Sequence, residues 1–172
     1  MIFFKNKINK QKYLLELGFF TAFAVTIYLA ELLIPRPLPF LKIGLTNIVI
    51  LLILINGNVK EALIIGVAKV IIGGAITGTI ISPSTVLAVG AGIFSILIMS
   101  LCLRFNPGLS LLGISIVGAV AHNLMQISLV RIILITEDKI FYLTPLLIVL
   151  GIGTGIITGF ITGKINDSLR VT

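Results

Sequence analysis

His122, Asn123 and Gln126 stand inside an otherwise apolar run from Leu111 to Ile135. On a helix His122 and Gln126 are four residues apart and share a face with Gly118, which leaves space in front of the imidazole. Lys69 interrupts another apolar run, Glu31 lies near the end of the first, and Thr46 and Asn47 open a short one. Arg131 sits one and a half turns beyond Gln126. Such a set can hold an anion on a cation and orient it by hydrogen bonds. It is poorly equipped for catalysis. The chain has one histidine and six carboxylates, with no aspartate-rich cluster of the kind that holds a metal-diphosphate for prenyl transfer. No glycine-rich loop leads into a Lys-Ser/Thr pair. No Ser-His-Asp or Cys-His arrangement is convincing either. Cys102 is the one cysteine, which excludes an internal disulfide framework and a cysteine-rich metal site. The expectation is a binding protein that is no enzyme and uses no metal or cofactor.

Composition decides what positions these residues. Of 172 residues, 58% are hydrophobic and 11% charged, and the mean hydropathy is +1.21. A soluble fold of this size would leave much apolar surface in water. The net charge of +7 could suggest nucleic acid, but no basic-aromatic patch accompanies it. The class is an all-α polytopic membrane protein. A crossing helix needs about 20 apolar residues, and the runs at residues 13–35, 43–55, 61–81, 85–103, 111–135 and 140–163 predict a bundle of six spans in a single membrane domain, 1–172.

Turn chemistry separates the runs: the Pro35, Pro37, Pro39 series, Asn56-Gly57-Asn58, Ser82-Pro83-Ser84, Asn106-Pro107-Gly108 and Glu137-Asp138-Lys139. The second run is too short to cross alone unless residues from Leu38 onward dip into the membrane. Lys5, Lys7, Lys10 and Lys12 resemble the head of a cleaved signal. Glu16 and the apolar run continuing to Ile34 favour a retained first helix instead. With the N-terminus inside, eight basic residues fall on the cytoplasmic side (Lys5, Lys7, Lys10, Lys12, Lys60, Arg104, Lys164 and Arg170). Four fall outside, namely Arg36, Lys42, Arg131 and Lys139, and Lys69 lies within the third span. Both termini are expected in the cytoplasm.

Two stripes of small residues recur at every fourth position. The first span carries Gly18, Ala22, Thr26 and Ala30, and the last carries Gly151, Gly155, Gly159 and Gly163. In lipid, helices associate by close backbone approach over such residues. Both stripes read as packing faces, and the last is expected to pack within the bundle.

Each polar residue has a structural alternative. His122 and Asn123 could serve a helix–helix hydrogen bond, worth about 0.6 kcal/mol on average. Lys69 could pair with Glu31 or snorkel, Arg131 could anchor near Glu137 and Asp138, and Thr46 and Asn47 could cap a helix start. Their shared depth, in the middle or outer half of the membrane, is explained jointly by a pocket open to the outside.

Two motifs carry a resemblance. Ile34-Pro-Arg-Pro-Leu-Pro-Phe-Leu-Lys-Ile-Gly-Leu-Thr-Asn47 and Ser115-Ile-Val-Gly-Ala-Val-Ala-His-Asn-Leu-Met-Gln126 resemble the signature of the Gx transporter family. Its members are widely labelled heptaprenyl diphosphate synthase component I. They are similar to the substrate-binding S components of energy-coupling factor (ECF) transporters. The resemblance implies a six-helix S-component fold with an outward pocket and a lid from Arg36 to Gly44. It also implies docking of the first helix on a transmembrane coupling subunit that bridges to two ATPases. The usual Ala-xxx-Ala there is Ala22 and Thr26 in this chain. The resemblance further implies a basic residue at the position of Lys69.

On this reading Glu31, Arg36, Asn47, Lys69, His122, Asn123, Gln126 and Arg131 bind a small anionic, vitamin-like solute. Gly18, Ala22, Thr26 and Ala30 form the partner interface. The alternative is a non-transport subunit that binds an isoprenoid or quinone for a redox or biosynthetic complex. A closed polar cavity favours the first, and a lateral apolar slot favours the second.

Overall fold

The computed structural model describes residues 10–33, 44–105, 108–135 and 137–171. The described residues are helical, with no strand among them. The helices are α1 (Lys10–Leu32), α2 (Asn47–Leu54), α3 (Val59–Ile76), α4 (Pro83–Phe105), α5 (Leu111–Ile133) and α6 (Thr144–Val171), with a 3₁₀ segment at Asp138–Leu143.

Local chemistry sets the boundaries. Gly57 takes φ +79° between α2 and α3, a conformation that favours glycine, and its N–H donates to Leu54 O at 2.9 Å. Pro83 opens α4, where its missing N–H costs nothing. Ser110 caps α5 by accepting the Gly113 N–H at 3.1 Å. α1 stops at Leu32, before Pro35 is reached.

Four helical stretches are long and apolar enough to cross a bilayer: Lys10–Leu32, Pro83–Phe105, Leu111–Ile133 and Asp138–Leu169. α2 has eight residues and rises about 12 Å. It cannot cross alone, and its part of the six-span reading from Leu38 to Ile43 lies outside the described residues. α3 has 18 residues, about 27 Å of rise, and carries Lys60, Glu61 and Lys69. All residues of α2 from Ile48 to Leu54 are buried. A helix apolar on every side belongs in a core, and α2 supplies it.

α3, α4, α5 and α6 pack in chain order, α2 contacts α3, α4 and α6, and α1 packs chiefly against α3. The α5–α6 seam is the tightest. A Cβ added at Gly155 would lie 2.5 Å from Ile116 Cα, and one at Gly159 would lie 2.8 Å from Leu112 Cα. At Gly151 the nearest atom would be Val120 Cα, at 3.1 Å. Ser115 and Thr158 share a hydrogen bond across the seam at 2.7 Å. Three glycines of the last stripe therefore pack within the chain. Gly163 meets nothing within 4 Å.

Between α4 and α5, Ser95 Oγ donates to Gly118 O at 2.7 Å. A Cβ on Gly118 would lie 2.5 Å from Met99 Sδ. The expected space in front of His122 is thus not at Gly118. The thioether of Met99 fills it, so that glycine serves helix packing.

Candidate functional site

Five helices meet around a cavity of about 30 Å³. α1 contributes Tyr28 and Glu31, and the turn leading into α2 contributes Gly44 and Thr46. Asn47 and Ile50 follow on α2, Gly66, Lys69 and Val70 on α3, Ala88, Gly92 and Ile96 on α4, and His122 on α5. Lys69, Glu31, Asn47 and His122, taken from four separate runs of sequence, thus share one cavity. Its volume suits a water or two, whereas vitamin-sized ligands need several hundred Å³.

The helices explain how these groups converge. Glu31 is one turn after Tyr28 on the buried face of α1, and both are nearly inaccessible. Lys69 is ten residues into α3, so it enters the bundle well away from the basic end that holds Lys60. Glu31 is held from two sides. One carboxylate oxygen accepts the backbone N–H of Gly44, and the other accepts the hydroxyl of Thr46 at 3.4 Å. Thr46 therefore does not cap α2 with its side chain. Its hydroxyl turns to Glu31 instead. Glu31 and Lys69 bring opposite charges to the same cavity. Among the described lining residues they are the one anion and the one cation.

Other residues expected at the site lie elsewhere. Asn123 donates from Nδ2 to Leu147 O at 2.9 Å, which makes it a buried tie between α5 and α6. Arg131 pairs with Asp138 at 2.7 Å in an exposed position, and it steadies the start of the 3₁₀ segment. Gln126 is buried at 3% exposure and is not part of the cavity wall. Arg36, and the proposed lid up to Ile43, lie outside the described residues.

Tyr28, Gly66 and Gly92 line the cavity without having been singled out by the sequence. Tyr28 could have been found from its i, i+3 spacing to Glu31. A Cβ on Gly92 would meet nothing within 4 Å, so this glycine leaves space, whereas one on Gly66 would lie 2.6 Å from Ile96 Cδ1. Glycine in an apolar run reads as packing, and no pattern separates the two uses.

The small-residue stripe of α1 is fully presented. Gly18, Ala22, Thr26 and Ala30 are all exposed. The first three line a groove of about 630 Å³ that continues over Ile72 and Ile76 of α3. Thr26 donates its hydroxyl to Ala22 O at 3.0 Å. Its polar atom is satisfied within the helix, and threonine acts there as a small residue.

A protein-family model described as heptaprenyl diphosphate synthase component I matches residues 20–165. The chain belongs to that family. The matched span of the heptaprenyl diphosphate synthase component I family contains every lining residue of the cavity and the stripe from Ala22 onward. A search of curated proteins and a search of solved structures each returned no match. Several of this member's helices are apolar and long enough for a multi-pass membrane protein.

Proposed function

We propose that the chain is the substrate-binding membrane subunit, or S component, of an ECF-type transporter, and that its cavity captures a small anionic solute. The observation that carries this reading is Lys69 at a cavity bounded by five helices, beside Asn47 and His122. A cation at the bilayer centre costs at least about 2.5 kcal/mol unless paired or hydrated, and a ligand acid group supplies the pairing. Asn47 and His122 offer hydrogen bonds that fix its orientation. The chain acts as a binding subunit and not as an enzyme. Lys10, Lys12, Lys60, Arg104 and Lys164 gather at the ends of helices on one side, which the positive-inside rule assigns to the cytoplasm. That orientation puts both termini inside and turns Glu31, Gly44 and Asn47 outward.

The exposed stripe on α1 supports docking on a coupling transmembrane subunit with its ATPase pair. Ala22→Leu should weaken co-purification with such a subunit on the order of tenfold by holding the backbones apart, while solute binding survives. Unchanged co-purification would count against transport. One observation favours the second reading. The α1–α3 groove is apolar and open at the helix surface, as a site for an isoprenoid or quinone chain would be.

A further inference from the structure

The cavity is too small for its proposed ligand, so some wall must move. Four walls are long helices or their buried faces. The fifth is α2 with the turn from Gly44 to Asn47 that leads into it, a turn closed by Asn47 N–H to Gly44 O at 2.8 Å and followed by Ile48 N–H to Leu45 O at 3.1 Å. Glu31 ties this turn to α1 through Gly44 N–H and Thr46 Oγ1. The same carboxylate is the one anion among the described residues that line the cavity with Lys69, and it is 2% exposed. Gly44 has φ +80°, a conformation in which its N–H is presented to Glu31 and which other residues rarely adopt. One side chain thus does two jobs: it fastens a wall and brings a negative charge into the cavity that holds Lys69.

We propose that Glu31 is the positioning residue of the anion site, a resident carboxylate that holds the Gly44–Asn47 turn closed and is exchanged at Lys69 for the acid group of the ligand. This deepens the reading of the cavity as a solute site and rests on it. The exchange keeps a negative charge in the cavity with Lys69 throughout, and Glu31 meets water as the turn opens, so that neither charge is left unpaired in a dry site. One cation facing one carboxylate matches a ligand with a single acid group of carboxylate type. As that group takes Glu31's electrostatic role, the clamp loosens and the turn can yield the volume the ligand needs.

Closure and charge can be read without any ligand. Cys102→Ser removes the one native cysteine, and Gly92→Cys places a thiol at the cavity where an added Cβ meets nothing within 4 Å. The full-length protein in detergent is then modified with an anionic reagent, methanethiosulfonate ethylsulfonate, or its cationic trimethylammonium counterpart. Adding Glu31→Gln should speed both reactions on the order of tenfold, as expected for loss of charge-assisted hydrogen bonds. The anionic reagent should gain more, because Lys69 has lost its resident anion. Further addition of Lys69→Met should abolish that preference. Thr46→Val, which removes one clamp bond and no charge, should speed both reagents equally. Unchanged rates in Glu31→Gln and Thr46→Val would overturn the clamp. Acceleration of Glu31→Gln without charge preference would overturn the exchange. Either failure leaves solute binding at Lys69 standing, since that is read with ligand and not with these reagents.

Discussion

Gly155→Leu should leave the chain unable to close its α5–α6 seam. A Cβ at this position would lie 2.5 Å from Ile116 Cα and 3.0 Å from Ile116 N, and backbone atoms cannot rotate aside as a side chain can. Leucine would push the two helices apart along the contacts at Gly151 and Gly159, and would strain the Ser115–Thr158 and Asn123–Leu147 hydrogen bonds. Overpacking of this kind costs about 3 kcal/mol, and helix association in lipid has no hydrophobic force to offset it. Thermal unfolding in detergent should show a large loss of stability or no folded protein. Gly163→Leu is the matched comparison, because nothing lies within 4 Å of its added Cβ. It should unfold like the wild type. Equal stability of the two variants would mean that the seam is not formed as described.

The second large effect belongs to Lys69. Lys69→Met keeps most of the stem and removes the charge, so the ligand's acid group would be buried without a counterion. Removing one partner of a buried ion pair costs about 3 kcal/mol or more, which corresponds to a loss of at least a hundredfold in affinity. Lys69→Arg keeps the charge and should retain much of the binding. In Lys69→Met the Glu31 carboxylate keeps the Gly44 N–H and the Thr46 hydroxyl, so the protein should stay folded, which thermal unfolding would verify. Isothermal titration with the identified solute should give this order: wild type, then Lys69→Arg, with Lys69→Met far weaker. If Lys69→Met binds as well as wild type, the lysine is structural and the solute is not held by charge.

The bundle was legible where local chemistry acts alone. Asn56-Gly57-Asn58 and Ser82-Pro83 break the chain where helices break, because a positive φ and a missing N–H are properties of single residues. The short second run was recognisable as unable to cross, yet its role as the buried centre depends on what surrounds it. The convergence of Glu31, Asn47, Lys69 and His122 was readable from shared depth, since depth follows from helix rise. Facing was not. Asn123 and His122 are neighbours with similar chemistry, and only the position of α6 turns Asn123 to Leu147 O while His122 reaches the cavity. Gly118, Gly92 and Gly155 look alike in sequence. The partner helix decides that the first receives Met99, the second leaves space and the third receives backbone. Arg131 was counted among the cations of the site, but Asp138 lies within reach once the chain turns after α5, and the pair forms there at 2.7 Å.

The charge count of the site changes accordingly. With Arg131 engaged at the helix end, the described cavity holds Lys69 against Glu31, and the case for an anionic ligand rests on exchange of one carboxylate for another and not on an excess of cations.

Native mass spectrometry of the chain extracted gently from membranes tests the central claim most directly. The account predicts a small acidic solute bound in a one-to-one ratio to the wild type and to Ala22→Leu, and absent from Lys69→Met. An isoprenoid or quinone carried equally by wild type and Lys69→Met, and lost from Ala22→Leu, would contradict it. That result would move the binding site from the cavity to the α1–α3 groove.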